Sequence, residues 1–133
     1  MRRLFADTSG WFSLFDRADL NFSRAVSFFK ANSLPLVTTN YIFAETVTLL
    51  TYRLGHRYAQ EFGDKLLSSN SVFLYRTGAD DEFRAWEYFK KYSDKDYSYA
   101  DCVSFIVMKK FMIKEAFTFD RHFSQAGFRT VPD

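Results

Sequence analysis

The hexapeptide LFADTS, residues 4–9, is the clearest indication of the fold, because its three apolar residues are followed at once by an acid, Asp7. A short apolar run of this kind is typical of a strand buried in the interior of a protein. Comparable runs recur at residues 36–37, 72–75, 116–119 and 128–131. We interpret all of these runs as buried strands.

The segments between the runs have the spacing of amphipathic helices. In the first of these segments, apolar residues stand at positions i, i+3, i+4 and i+7, and the polar residues lie on the opposite face. These apolar residues are Phe22, Ala25, Val26 and Phe29. The same spacing is found in Ala59, Phe62 and Leu66, in Ala85, Tyr88, Phe89 and Tyr92, and in Ala100, Val103 and Val107. Apolar strands that alternate with helices indicate a parallel sheet covered on both faces, which is an α/β fold.

The bulk composition narrows the class of protein. The chain has 133 residues, of which 47% are hydrophobic and 26% charged, so we expect residues 1–133 to form a single globular domain. Cys102 is the only cysteine, which excludes an internal disulfide and favours the cytoplasm. No apolar stretch has the length of a signal peptide or a membrane span, and no glycine-rich nucleotide-binding loop is found. The net charge of +2 neither demands nor excludes a nucleic-acid partner.

Two acidic residues follow predicted strands. Asp7 ends the first apolar run, and Asp120 follows the run at residues 116–119. Because ligands of parallel sheets bind at the carboxyl ends of the strands, both carboxylates are expected at the functional edge of the sheet. For either residue alone, a role in a turn or as a helix cap explains the acid equally well.

Glu45 is the only charged residue at positions 34–52, a segment that we interpret as a buried helix. The helix carries an apolar stripe from which Glu45 points away, and the stripe consists of Phe43, Val47, Leu50 and Leu54. A carboxylate in apolar surroundings is strongly penalised unless it is protonated, hydrogen-bonded or bound to a cation. A hydrogen bond to a tyrosine hydroxyl is the structural alternative to a metal ion.

Asp101 lies three residues after Ser98, which is the arrangement of a helix capping box. Capping alone explains this acid. The helix dipole would also keep the carboxylate ionised, however, and so make it a good metal ligand. The two roles are compatible.

Four carboxylates at one place would need a cation, protons or basic partners. Two unit charges roughly 5 Å apart repel by about 3 kcal/mol at an effective dielectric constant of about 20. Without histidine or cysteine partners, carboxylates select hard ions such as Mg²⁺ or Mn²⁺. A water activated by such an ion can attack a phosphodiester. If Asp7, Glu45, Asp101 and Asp120 converge, they therefore predict a metal-dependent nuclease.

These positions and their neighbours resemble the PIN-domain nucleases, and within them the VapC toxins of toxin–antitoxin pairs. The matching residues extend over nearly the whole chain and are Asp7-Thr8-Ser9, Glu45, Ser98-Tyr99-Ala100-Asp101 and the run 118–123. The resemblance implies a three-layer α/β/α fold with a parallel sheet of about five strands flanked by helices. It also implies an Mg²⁺- or Mn²⁺-dependent endoribonuclease that acts on RNA, forms a homodimer and is inhibited by a cognate antitoxin protein.

The resemblance also implies roles for single residues. Asp7 and Asp101 would be the principal metal ligands, Glu45 the next, and Asp120 the most variable. Supporting or substrate-binding roles are assigned to Thr8, Ser9, Asp96, Ser98, Thr118 and Arg121. Among these, Thr8 and Ser9 would orient the activated water or a phosphate, and Asp96 would support the ligands at most indirectly.

The basic and aromatic residues give weaker indications of RNA binding. His122 could contact a phosphate, but we expect it to be exposed in a turn. Lys109, Lys110 and Lys114 would form a solvated helix end. Arg121 and Lys95 are candidates for contacts with RNA phosphates. Aromatic side chains can stack on unpaired bases, but Phe22, Phe29, Phe62 and Phe89 fall on core stripes, so most aromatic residues are expected to pack in the interior.

Two other functions fit the same acids. One is a non-catalytic PIN-like interaction module whose acidic pocket binds a basic partner. The other is a nuclease for DNA or flap substrates, because metal-assisted hydrolysis does not itself select the sugar. A membrane partner is not expected from this sequence.

Overall fold

The computed structural model describes residues 2–133 and has a parallel sheet at its centre. The strands are β1 (Leu4–Ala6), β2 (Leu36–Thr39), β3 (Val72–Tyr75), β4 (Glu115–Phe117) and β5 (Arg129–Val131), in the order β3-β2-β1-β4-β5. Every pairing between neighbouring strands is parallel. The predicted α/β/α fold with a sheet of five parallel strands is therefore confirmed.

Helices connect the strands and cover the sheet. They are α1 (Thr8–Ser13), α2 (Phe22–Ala31), α3 (Asn40–Arg53), α4 (His56–Ser68), α5 (Ala79–Lys91), α6 (Tyr99–Lys110) and α7 (His122–Gln125). The helices predicted from apolar spacing are thus present as α2, α4, α5 and α6. Among residues 2–133, no helix combines the length and the apolar character needed to cross a membrane.

The central strand β1 joins the strands from the first part of the chain to those from the last part. It lies between β2 and β4, with Leu4 opposite both Leu36 and Glu115. Its side chains are completely buried, and Phe5 packs beside Phe123 in the core. Because all strands run in the same direction, the residues that follow β1, β2 and β4 lie at one edge of the sheet.

Gly10 allows α1 to sit close against the end of β4. A Cβ atom at this position would lie only 2.6 Å from the Phe117 carbonyl oxygen. Real side chains do not tolerate that separation, so the position requires glycine. The close approach brings the start of α1 next to the residues that follow β4.

The predictions that β3, β5 and helix α3 are buried are wrong. Strand β5 lies at one edge of the sheet, and its Arg129 is exposed. Strand β3 lies at an edge of the sheet, pairs with β2 alone and leaves Phe73 53% exposed. Helix α3 is not buried either, because only one of its faces packs inward, and Ala44, Glu45 and Thr48 on the other face are exposed. Few charges on a helix therefore did not indicate burial in this case.

Smaller differences concern side chains on helices. Phe29 and Phe89 are 38% and 39% exposed, so the prediction that they belong to the core is wrong. Lys110 is not a simple solvated side chain, because it donates hydrogen bonds to the Tyr75 hydroxyl (2.7 Å) and to Asp81 (3.1 Å). It thereby links α6 to β3 and α5.

Candidate metal centre

Asp7 is held at the carboxyl edge of the sheet by main-chain contacts on both sides. Its backbone N–H donates to the Phe117 carbonyl (3.1 Å), and its own carbonyl accepts from the N–H of Trp11 (3.1 Å). Asp7 precedes α1 as its N-cap, yet its side chain makes no capping hydrogen bond. Asp7 is 4% exposed, so its carboxylate needs hydrogen-bond partners other than the helix.

Hydroxyl groups supply those partners. Thr118 Oγ1 donates to Asp7 Oδ2 (2.8 Å), and Ser9 Oγ donates to the same oxygen (3.2 Å). Burial raises the pKa of Asp7 to about 7; the Thr118 hydroxyl opposes this rise, whereas the nearby Asp101 and Asp120 carboxylates add to it. Asp7 is thus a buried acid close to two further acids.

Asp101 has the local role that its spacing predicts. Its backbone N–H donates to Ser98 Oγ (3.0 Å), and its Oδ2 accepts from the Ser98 N–H (3.1 Å), which is a complete capping box. The same Oδ2 lies 2.9 Å from Nδ1 of His122. Burial raises the pKa of Asp101, while the Ser98 N–H and His122 lower it and Asp120 raises it. Capping and membership of the acidic cluster therefore coexist.

Asp120 lies in the turn between β4 and α7 and bonds within that turn. Its Oδ1 accepts from the His122 N–H (2.9 Å), and its own N–H donates to Thr118 Oγ1 (3.0 Å). Thr118 therefore contacts Asp7 with one bond and the main chain of Asp120 with another. One ligand atom each from Asp101, Asp120 and His122 lies within 4.8 Å of the other two.

Glu45 reaches the cluster through an intermediate residue. Thr8 Oγ1 donates a 2.5 Å hydrogen bond to Glu45 Oε1, and Thr8 is adjacent to Asp7 in the chain. The apolar, buried surroundings predicted for Glu45 are wrong, because the residue is exposed on α3. Its partner is a threonine hydroxyl, and within residues 2–133 no tyrosine hydroxyl bonds to it.

The other candidates divide into two groups. Ser9, Ser98 and Thr118 bond directly to an acid of the cluster, as described above. Asp96 and Arg121 are exposed, and in the part of the chain that the structure describes neither side chain is hydrogen-bonded to the cluster.

His122 is the residue that sequence reasoning undervalued. Only 19% of its side chain is exposed, and its ring meets Tyr97 edge-on at a centroid distance of 5.5 Å. Its Nδ1 lies 2.9 Å from Asp101 and 3.3 Å from Asp120. The expectation of an exposed turn residue is therefore wrong. The available signal was the spacing of two residues after Asp120, which places the histidine at the start of the next helix.

The donor set fits a hard divalent cation. The carboxylates of Asp101 and Asp120 lie close together, and Asp7 is near enough for both to raise its pKa. Within the described residues Asp101 Oδ1 and Asp120 Oδ2 accept no hydrogen bond. Oxygen ligands of this kind suit Mg²⁺ or Mn²⁺, whose charge would offset the mutual repulsion of the acids. Asp7, Asp101, Asp120 and, through Thr8, Glu45 are the residues that would hold the ion.

A parallel sheet with an acidic cluster at its carboxyl edge is the arrangement expected of a metal-dependent nuclease, and known proteins of that class resemble this chain. The PIN domain family matches residues 4–129. The chain belongs to the PIN-domain family, and within it to the VapC nucleases.

Individual relatives extend this assignment. The chain is 37% identical over 128 residues to the 23S rRNA-specific endonuclease VapC20 of Mycobacterium tuberculosis, a match that covers 96% of this chain and 97% of the relative. The crystal structure of VapC20, described as a sarcin-ricin loop cleaving toxin, superposes with a TM-score of 0.90 at 36% identity over 94% of this chain and 95% of that one. FitAcB from Neisseria gonorrhoeae shares the fold, with a TM-score of 0.67 at 15% identity over 97% and 96% of the two chains.

Proposed function

We propose that this chain is a metal-dependent endoribonuclease that hydrolyses RNA phosphodiester bonds and serves as the toxin of a toxin–antitoxin pair. The observation that carries the proposal is the convergence of Asp7, Asp101 and Asp120, which come from distant parts of the chain, at the functional edge of a PIN-domain sheet. The similarity to VapC20 over nearly its full length supports ribonuclease activity. We also propose that the protein is cytoplasmic, because its RNA substrate would be found there.

We assign the ion, Mg²⁺ or Mn²⁺, to Asp7, Glu45, Asp101 and Asp120. When bound, such an ion neutralises charge on the scissile phosphate and activates the attacking water. The protein residues prepare the ligands: Thr118 and Ser9 fix Asp7, Ser98 fixes Asp101, and Thr8 holds Glu45. Arg121, exposed next to Asp120, is our candidate for a phosphate contact, and Asp96 supports the ligands at most indirectly.

For the substrate, we propose the sarcin-ricin loop of 23S rRNA, the target named for VapC20. A TM-score of 0.90 together with 36% identity supports a shared substrate-binding surface. An in vitro transcript of that loop, cut at one position in the presence of Mn²⁺, is the expected result. Indiscriminate cutting of unrelated single strands would contradict this target.

An antitoxin would find a suitable docking site in a groove between α1, α2 and α4. The groove has a volume of about 810 Å³ and is lined by aromatic residues that include Trp11, Phe15, Phe22, Phe29 and Phe62. Arg17, Lys30 and Lys65 also line the groove, together with one acid, Glu61. We propose that an amphipathic antitoxin segment fills it, with its apolar face on the aromatic residues and acidic residues near these cations.

The predicted homodimer would use a different surface. Helix α5 leaves Phe83 64%, Trp86 49% and Phe89 39% exposed, and Trp86 and Phe89 stack on each other. Exposed apolar patches of this kind commonly mark protein interfaces. We propose that residues 1–133 act as one domain that pairs with a second copy through α5. Sedimentation should show a dimer for the wild type and a monomer for Phe83→Lys.

Cleavage assays test the central activity. RNA is incubated with Mg²⁺ or Mn²⁺ and with the wild type, with Asp7→Asn, or with Asp64→Asn as a matched control at an exposed acid on α4. We expect cleavage by the wild type and the control only. Equal cleavage by Asp7→Asn would contradict the assigned site, and preferential cutting of DNA or flap strands would support that alternative instead.

The non-catalytic alternative makes a different prediction. An interaction module hydrolyses no RNA, so growth arrest caused by it would not require the acids to bind a metal ion. We therefore expect growth arrest on expression of the wild type and none with the Asp7→Asn and Asp101→Asn variants. Arrest that persists after the loss of all four acids would favour the interaction module.

A further inference from the structure

We infer that His122 is a positioning residue that ties Asp101 to Asp120 and orients both carboxylates towards a shared ion. The inference rests on the proposed function, because it assigns a role within the same metal centre.

His122 contacts both acids with separate groups. Its ring Nδ1 lies 2.9 Å from Asp101 Oδ2 and 3.3 Å from Asp120 Oδ1. Its backbone N–H donates to Asp120 Oδ1 at 2.9 Å. Asp101 is on α6 and Asp120 is in the turn before α7, so His122 connects carboxylates from two different elements.

These bonds determine which carboxylate oxygens remain free. Asp101 Oδ2 accepts from the Ser98 N–H and faces His122, and Asp120 Oδ1 accepts from His122. Within residues 2–133, the other oxygens, Asp101 Oδ1 and Asp120 Oδ2, accept no hydrogen bond. Each acid is therefore fixed by one oxygen and offers the second, which is how outer partners commonly orient metal ligands.

The position of the ring is itself well defined. Its edge-on contact with Tyr97 has an interplanar angle of 79°, and Tyr97 is 6% exposed. The next residue, Phe123, is completely buried and packs against Phe5 and Phe105. The chain around His122 is thus anchored in the core, and the imidazole has little freedom to leave the acids.

A hydrogen-bonding role suits this geometry better than direct ligation. An ionised carboxylate can only accept hydrogen bonds, so an Nδ1 that faces one carries the proton and has no lone pair for a cation. Nδ1 would then not bind the ion, and in the neutral ring the lone pair would lie on Nε2. Direct ligation by the nitrogen is the competing arrangement, and spectroscopy can distinguish the two.

The test measures Mn²⁺ binding by the full chain, with electron paramagnetic resonance as the readout. His122→Phe keeps a ring against Tyr97 but removes the donor, and His122→Asn places an amide N–H near the position of Nδ1. We expect His122→Phe to weaken Mn²⁺ binding by about 10- to 100-fold, as is typical for the loss of an outer partner. We expect His122→Asn to recover most of that affinity, and the wild-type spectrum to show no directly bound nitrogen.

Failure of the inference about His122 can be distinguished from failure of the proposed function. Wild-type affinity in His122→Phe would overturn the inference, and a directly coordinated nitrogen in the wild type would overturn it in favour of ligation. If His122→Phe does not fold by circular dichroism, His122→Gln replaces it, and equal affinities of the Gln and Asn variants would overturn the inference. Failure of the proposed function is recognised separately, because wild-type Mn²⁺ binding would then be absent or unchanged by Asp7→Asn.

Discussion

Thr118 donates a 2.8 Å hydrogen bond to the carboxylate of Asp7, although the two residues are 111 positions apart in the chain. The bond exists because β1 and β4 are neighbours in the sheet and run in the same direction, so that the residues after both strands meet. Thr118 Oγ1 also accepts from the N–H of Asp120 and lies 3.0 Å from Ser9 Oγ. One hydroxyl therefore connects residues 7–9, which follow β1, with residues 118–120, which follow β4.

Thr118→Val tests this connection. Valine has nearly the same shape but lacks the hydroxyl, so Asp7 loses its shortest hydrogen bond in a buried site. We expect a loss of about 1–3 kcal/mol in the free energy of unfolding, together with weaker Mn²⁺ binding. Urea denaturation checks the first effect. Thr51→Val on the exposed face of α3 is the control and should leave both properties unchanged.

Gly10→Ala tests the packing of α1 on β4. The new methyl group would meet the Phe117 carbonyl at 2.6 Å and force the helix away from the strand. We expect destabilisation of about 1–3 kcal/mol and reduced RNA cleavage, because Asp7 and Thr118 would separate. Gly63→Ala is the matched control, since its methyl would lie 3.6 Å from Phe43, an ordinary contact. Equal melting temperatures for the two variants would contradict the argument.

Glu45→Gln separates charge from hydrogen bonding. Glutamine can still accept the bond from Thr8, and the position is exposed, so we expect less than about 0.5 kcal/mol of change in stability. The lost charge should nevertheless weaken Mn²⁺ binding and slow cleavage. Isothermal titration and cleavage rates measure the two effects. Glu61→Gln on α4 removes a charge at another exposed helical position and should change neither; an identical loss there would argue for a general effect of net charge.

Asp81 gives a prediction for the pH dependence of stability. Burial alone would raise its pKa, but the Tyr75 hydroxyl, the Gly78 N–H and Lys110 together lower it below the usual value. A lowered pKa in the folded state means that the stabilising contribution is complete above the unfolded pKa of about 3.9 and is lost as the pH falls through the folded pKa. We expect Asp81→Asn to be less stable than the wild type at neutral pH.

The difference between the two proteins should then shrink as the medium becomes strongly acidic. Denaturant titrations from neutral to acidic pH measure this change. A difference that is constant over the whole range would show that the charge of Asp81 does not stabilise the fold.

The sequence was sufficient for the architecture because the relevant signals are local. Three apolar residues before Asp7 and the spacing of Phe22, Ala25 and Val26 reflect burial within single elements. Strand order is a long-range property, which is why the exposure of Phe73 on the edge strand β3 was not predicted.

The metal centre shows the same contrast between local signals and long-range contacts. The spacing of Ser98 and Asp101 predicted a capping box that is present. For Glu45, the absence of neighbouring charges was interpreted as burial, whereas α3 in fact leaves an uncharged face exposed. The contact of His122 with Asp101 depends on how α7 lies against α6, and a lone histidine in a turn carries no sequence signal for such packing.

The most direct test of a shared metal ion is anomalous diffraction from crystals soaked in Mn²⁺. We predict one or two strong peaks within coordination distance of Asp7, Asp101 and Asp120, on the side of the free carboxylate oxygens. Data in which Mn²⁺ is absent from these acids, but present elsewhere on the surface, would contradict the account.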